Sequence, residues 1–232
     1  MTRLSITWLG HSTFLLRTPG GKRLIFDPWL AQNPACPEPL KQPPAVDLIL
    51  ASHGHSDHIG DLLLVARNSG APVVGIFELC DWLERKGIAN TAAMNKGGSL
   101  QIAGLRVVMT DARHSSSVVD NGQVVYMGEP AGFVITLEDG LTLYYSGDTC
   151  LFGDMKLIGE MYRPDIAFLP IGDRFTMDPA AAAKACEWLG VRQVVPMHWG
   201  TFPLLTGTPE MLRAHLGGRT EVLELKPGET SE

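Results

Sequence analysis

The apolar stretch Val46–Ala51 stops abruptly at Ser52-His53-Gly54-His55-Ser56-Asp57-His58. Such a stretch reads as a strand covered on both faces. Ligand sites in α/β sheets lie just beyond the carboxyl ends of such strands. A tight turn with imidazoles at i, i+2 and i+5 and a carboxylate at i+4 can direct donors toward two metal positions. Imidazole and carboxylate suit Zn²⁺, Mn²⁺ or Fe²⁺, whereas a thiolate site would recruit cysteines. The bland alternative is a polar turn whose histidines cap the next helix. It would crowd three imidazoles and a carboxylate, which desolvate and repel one another.

The flanking sequence supplies the sheet that such a turn requires. Leu4–Trp8, Thr13–Arg17 and Arg23–Phe26 read as strands, with a Pro19-Gly20-Gly21 turn between the last two. Residues 28–44 carry six prolines and read as a stiff loop. After the histidine turn come a helix at Gly60–Asn68, a strand at Pro72–Ile76 and a helix at Glu78–Lys86, the alternation of a right-handed crossover. The middle returns to strands at Leu100–Ile102, Leu105–Thr110, Phe133–Leu137 and Leu141–Tyr145, the last two flanking an Asp139-Gly140 hairpin signal. Helices at Phe152–Met161, Asp178–Leu189 and Pro209–Leu216 then alternate with strands at Asp165–Leu169 and Gln193–Val195. Asp178 is placed as N-cap, with Pro179 at the first helical position. Two β-rich stretches, each followed by α/β alternation, imply two related halves packed sheet against sheet within one domain over residues 1–232.

Composition narrows the partners. The 232 residues carry 19 Lys+Arg against 25 Asp+Glu, a net charge of −6, which gives no general pull toward nucleic acid or anionic membrane. The four cysteines (Cys36, Cys80, Cys150, Cys186) form no CxxC pair and read as free, buried thiols of a reducing compartment. No apolar run approaches a membrane span, and the amino terminus lacks a long apolar h-region. The expectation is a soluble cytoplasmic protein with a small-molecule substrate, able to form a homo-oligomer.

Three more residues end strands as the cluster does. His114 follows Leu105–Thr110, Asp148 follows Leu141–Tyr145 within Gly147-Asp148-Thr149, and His198 follows Gln193–Val195 within Pro196-Met197-His198. Singly each is an ordinary loop residue. One topological position recurring four times argues for one site.

In this order the motifs resemble the metallo-β-lactamase superfamily over nearly the whole chain. Trp8-Leu9-Gly10-His11-Ser12-Thr13-Phe14, Leu169–Met177 and Pro196–Pro203 resemble its small metal-dependent hydrolase branch, which is similar to the L-ascorbate-6-phosphate lactonases. The resemblance implies a four-layer αββα sandwich with a dinuclear centre at one edge of the sheets. It implies His53, His55 and His114 on the first metal, Asp57, His58 and His198 on the second, and Asp148 between them. The metals expected are Zn or Mn, with Fe or Ni also admitted. The implied chemistry is attack by a metal-held hydroxide on an ester or lactone, and secondly on a phosphodiester. A mononuclear iron oxidoreductase like the persulfide dioxygenases and a non-catalytic metal-binding protein are the rival readings. His55 departs from the flavodiiron pattern, which has Glu there. The basic arm of the tRNA 3′-processing enzymes and the large insert of the CPSF-type nucleases have no counterpart. Asp148 stands where class B β-lactamases usually use Cys.

Further residues are weighed separately. His11 is read as catalytic beside Asp57, with a hydrogen-bonded structural role equally open. Arg113 and Arg174 flank the site loops and are candidates for holding an anionic group. Asp27 could stand behind a ligand or simply make a turn. Trp29, Phe175 and Trp199 could line a pocket mouth or belong to the core. His215 is read as an exposed helix-end charge.

Overall fold

A computed structural model describes residues 3–42 and 44–231, so Pro43 of the proline-rich stretch and the chain ends lie outside the described residues. Strands β1 (Ser5–Trp8), β2 (Phe14–Arg17) and β3 (Arg23–Phe26) pair antiparallel, with Phe14 opposite Phe26. The proline-rich loop, with one 3-10 turn at Glu38–Leu40, leads into β4 (Leu48–Leu50). Strand β4 lies parallel to β3, and β5 (Val73–Ile76) and β6 (Thr91–Met94) continue that direction. Helices α1 (Ser56–Ile59) and α2 (Leu62–Ser69) make the first crossover, and α3 (Phe77–Arg85) makes the second.

The second half repeats this scheme. Strands β7 (Ser99–Ile102) and β8 (Leu105–Asp111) precede a detached hairpin of β9 (Ser117–Asp120) and β10 (Gln123–Tyr126). Strands β11 (Ala131–Thr136) and β12 (Thr142–Tyr145) complete an antiparallel set with β8. Helix α4 (Met155–Tyr162), β13 (Ile166–Pro170), α5 (Pro179–Leu189), β14 (Gln193–Met197), α6 (Pro209–Leu216) and β15 (Glu221–Val222) follow, with β12 to β15 parallel. Finally β16 (Thr230–Ser231) crosses back to pair with β1. Two seven-stranded sheets result, ordered β16-β1-β2-β3-β4-β5-β6 and β15-β14-β13-β12-β11-β8-β7.

Alternation along the strands builds the layers. Val107, Met109, Phe133, Ile135, Tyr145 and Phe168 join one cluster with Phe14, Leu24, Phe26 and Leu50 of the first sheet. Their neighbours Val108, Val134, Tyr144 and Ala167 face the opposite way, onto residues of α4, α5 and α6. Leu62 and Val65 of α2 and Leu79 and Leu83 of α3 pack with the first sheet. The order is helices, sheet, sheet, helices: the expected four-layer αββα sandwich. Aromatic rings join the sheets, with Phe26 stacked on Tyr145 at 4.5 Å and Phe14 edge-on to Phe168 at 5.0 Å between centroids. Phe168→Ala would empty a fully buried position that also approaches Tyr145. It is expected to cost about 3–5 kcal/mol of unfolding free energy in urea titrations, through lost transfer energy and the cavity left behind.

Asp178 caps α5 by accepting from Ala181 N–H at 2.7 Å, with Pro179 at the first helical position as expected. Several expectations are corrected. Helix begins earlier than Gly60, at Ser56, so Asp57 and His58 sit on a helical turn. Strand β6 and the β9–β10 hairpin were not read, because Thr91–Ala93 and most of the hairpin are half-buried or exposed and lack a strong apolar alternation. All four cysteines are free, but Cys150 is exposed, since it follows Thr149 out of the sheet edge into a loop. Among the described residues no helix is long and apolar enough to cross a membrane.

Candidate metal centre

Strand directions decide where the chemistry gathers. Strands β3, β4 and β5 are parallel, so Asp27 after β3 and the His53 turn after β4 lie at one edge of the first sheet. Strands β8 and β12 both pair antiparallel with β11 and so run the same way, and β13 and β14 are parallel to β12. His114, Asp148, Arg174 and His198, which follow β8, β12, β13 and β14, therefore share one edge of the second sheet. His11 comes from the β1–β2 turn, where its carbonyl accepts from Trp8 Nε1–H at 2.9 Å and from His198 N–H at 3.1 Å.

Two glycines permit close approaches here. A Cβ on Gly54 would lie 2.3 Å from Met127 Cβ, so only glycine lets the His53–His55 turn pass beneath the hairpin base. A Cβ on Gly172 would strike the His198 carbonyl at 2.0 Å, which brings the Arg174 loop against the His198 turn. His11, Asp27 and His198 hold left-handed φ values of 56°, 43° and 54°. Backbone strain of this kind persists only where its surroundings fix it, and it gathers at functional sites.

The side chains assemble into two donor sets. In the first, His53, His55 and His114 place their nitrogens within 4.8 Å of one another, with His53 Nε2 3.0 Å from His55 Nδ1. In the second, His11, Asp57, His58 and His198 meet the same limit. Asp148 Oδ2 lies between the sets, 3.0 Å from His198 Nε2, 3.3 Å from His58 Nε2 and 3.7 Å from His114 Nε2. A tetrahedron with metal–nitrogen bonds of about 2.0 Å has edges of about 3.3 Å, so these spacings fit donors converging on a cation. His58 Nε2 and Asp148 Oδ1 are buried polar atoms without a hydrogen-bond partner, which a cation would relieve.

Asp27 supports both sets from behind. Fully buried, it accepts from Ser52 N–H at 2.7 Å and Ser52 O–H at 2.5 Å, and its Oδ2 lies 2.7 Å from His58 Nδ1 and from the Tyr145 hydroxyl. The carboxylate only accepts, so His58 donates from Nδ1 and turns Nε2 toward Asp148. Ser52 Oγ in turn lies 3.0 Å from His53 Nδ1. The sequence offered Asp27 only as an open choice; its hydrogen bonds place it behind His58.

The electrostatics favour bound cations. Burial, and then neighbouring imidazoles, hold His53 well below the usual histidine value and bring His11 down to about 4. His55 and His114 are also lowered, chiefly by burial, which leaves their imidazoles in the neutral form that metals bind. His58 is the exception. Burial opposes its charge, yet Asp148 and Asp27 outweigh it and raise it well above the ordinary value. Burial likewise disfavours the Asp148 carboxylate, but His198 and His58 hold it well below the carboxylate range. Asp57 is lowered too, burial being overcome by His11 and His58. Asp148 and Asp57 are thus carboxylates drawn out of water and held in the charged form by neighbouring imidazoles, a role that a bound cation would take over.

The remaining candidates have varied surroundings. Arg113 lines a groove of about 460 Å³ with His114, Lys96, Asp111 and Glu129. Its Nε is 3.6 Å from Asp111, while Lys96 is held by Asp111 and Glu129. Arg174 is exposed and lies over the Phe175 ring at 5.7 Å, with no ion pair among the described residues. Trp29 is buried edge-on to His11 at 5.4 Å, Trp199 is half-buried and stacked on Trp8 at 5.3 Å, and Phe175 is exposed. His215 is exposed on α6, as expected. Sequence reasoning passed over Ser52, Tyr145 and Thr201, whose hydroxyls touch Asp27 or His11. Serine, tyrosine and threonine carry no spacing signature that would have marked them.

Comparison with known proteins agrees with this geometry. The family profile described as the beta-lactamase superfamily domain matches residues 22–199. A UPF0173 metal-dependent hydrolase of Rubrobacter xylanophilus is 52% identical over 228 residues, covering 97% of this chain and 94% of the relative. Another from Methanopyrus kandleri is 44% identical, covering 99% of this chain and all of its own length. The solved structure of Igni18, a metallo hydrolase from Ignicoccus hospitalis, superimposes with a TM-score of 0.87 at 35% identity, covering 98% of this chain and 97% of that one. The isothiocyanate hydrolase from Delia radicum gut bacteria shares the fold, with a TM-score of 0.76 at 22% identity and 98% of each chain covered. A histidine turn at the end of β4, answered by His114, Asp148 and His198 from the facing sheet, thus forms a candidate metal centre in a chain that belongs to the β-lactamase superfamily, among its UPF0173 metal-dependent hydrolases.

Proposed function

We propose that the chain is a dinuclear hydrolase that cleaves a small anionic ester or lactone, with a phosphodiester as the second choice. The observation that carries this reading is Asp148 Oδ2, within 3.7 Å of donors from both sets. His53, His55 and His114 would hold one ion and Asp57, His58 and His198 the other, with Asp148 shared. When bound, two divalent cations would activate water near neutral pH and stabilise the charge that develops on the substrate oxygen. The chain's own residues do the rest. Asp27 and Asp148 fix the imidazole rings from buried positions. Asp57 is the one of these three carboxylates that reaches solvent, so it is placed to accept the proton of the attacking water and return it to the leaving group.

Arg113, next to His114 in the chain, and Arg174, exposed in the loop after β13, would hold the anionic group, since a guanidinium fork suits a carboxylate or phosphate. The test pairs elemental analysis with a panel of lactones, esters, thioesters and phosphodiesters. Two Zn or Mn per chain with ester or lactone turnover is the expected result, whereas saturation at one iron with O₂ uptake would favour the oxidoreductase. Arg174→Ala should raise KM for an anionic substrate by ~10-fold, about 1.4 kcal/mol, and barely affect a neutral ester. Equal losses on both would remove the charge argument and leave the metal centre intact.

A further inference from the structure

His11 lies within ligand range of Asp57, His58 and His198, so distance alone would admit it as another ligand of the second position. Its hydrogen bonds argue otherwise. Nε2 is 3.2 Å from Asp57 Oδ2, and an ionised carboxylate only accepts, so the proton sits on Nε2. Nδ1 is 2.9 Å from Thr201 Oγ1. Both nitrogens are engaged whatever the charge on the ring, and Nε2 keeps no lone pair for a cation. The ring is fully buried and meets Trp29 and Phe202 edge to face, with centroids 5.4 and 5.7 Å away. Its backbone is pinned by Trp8 and His198, and its φ of 56° fixes the direction in which the side chain leaves.

We infer that Thr201, His11 and Asp57 form a positioning relay, in which the Thr201 hydroxyl holds the His11 ring and the His11 Nε2–H orients the Asp57 carboxylate. His11 is then a positioning residue and neither a ligand nor a catalytic group. The inference deepens the proposed function, since Asp57 acts there as a ligand of the second position. Without the threonine hydroxyl, the imidazole loses the partner that sets which way its ring faces, and Asp57 loses a fixed donor. Groups that orient metal-ligating side chains in this way are worth about 10- to 100-fold in metal affinity.

Two measurements on the 232-residue chain test the relay. In histidine-labelled, metal-stripped protein, long-range proton–nitrogen correlation should show His11 protonated at Nε2. A proton on Nδ1 with a bare Nε2 would overturn the relay. In equilibrium competition for Zn²⁺ against a chromophoric chelator, His11→Gln should retain the second-site affinity within about threefold, because the glutamine amide can still donate to Asp57. His11→Ala should lose about 10- to 100-fold, and Thr201→Val about 10-fold, with Thr201→Ser restoring it. His11→Gln falling as far as His11→Ala would mark a ligand and refute the relay. Thr201→Ser failing like Thr201→Val would remove the hydroxyl from it. Should the wild type bind a single metal, the dinuclear reading falls, and the nitrogen spectrum still decides the relay.

Discussion

Asp148→Ala should leave the purified protein with one metal ion per chain where the wild type is expected to bind two, and should lower turnover by at least ~100-fold. The size follows from position. Groups that merely support a metal ligand cost about 10- to 100-fold when removed, and a shared carboxylate does more than support. Asp148 is 2% exposed, and its Oδ2 faces nitrogens that belong to both donor sets. Alanine removes the negative charge that offsets repulsion between two neighbouring cations, so the more weakly held ion leaves. His215→Ala is the control. That residue is exposed on α6, outside both sets, and its loss should change neither metal content nor rate. Two metals and near-normal turnover in Asp148→Ala would show that the carboxylate does not join the two positions.

Removing the metals should destabilise the fold by an amount that is easy to measure. A ligand that binds only the folded state stabilises it by about 4 kcal/mol when its free concentration is about 1,000 times Kd. For a chain of 232 residues each kcal/mol moves Tm by roughly 2–4 °C, so full chelation should lower Tm by about 8–16 °C. The structure gives the reason for the sign. Asp27 and Asp148 are buried carboxylates, and His58 Nε2 and Asp148 Oδ1 are buried without hydrogen-bond partners. Re-adding Zn²⁺ or Mn²⁺ should restore both Tm and activity. An unchanged Tm after complete chelation would mean that the cluster is satisfied without cations.

Much of the fold was legible because strand and helix periods alternate cleanly and the turns carry strong signals, such as Asp139-Gly140 and the Asp178-Pro179 cap. Residues that end buried strands were legible for the same reason: His53, His114, Asp148 and His198 each follow an apolar segment. What escaped depends on contacts between distant segments. Thr201 meets His11 across 190 residues, and Tyr145 meets Asp27 across 118. Neither hydroxyl carries a spacing that betrays its partner. The β9–β10 hairpin escaped because it pairs only with itself and leaves Val119, Val124 and Tyr126 exposed, so no buried face disciplines its pattern. Cys150 misled because cysteines are usually buried, and the chain leaves the sheet just before it.

Each donor set draws on both halves of the chain. His53, His55, Asp57 and His58 belong to the first half, and His114, Asp148 and His198 belong to the second. Each cation would therefore be a clasp across the seam between two sheets, closed only after they have met. On the ribosome the first donor set is complete in sequence at His114, but the second waits for His198, long after its other members have emerged. Metal loading would thus be a late checkpoint on assembly: a truncated or half-docked chain offers scattered imidazoles, and only the finished sandwich would offer a two-metal cradle.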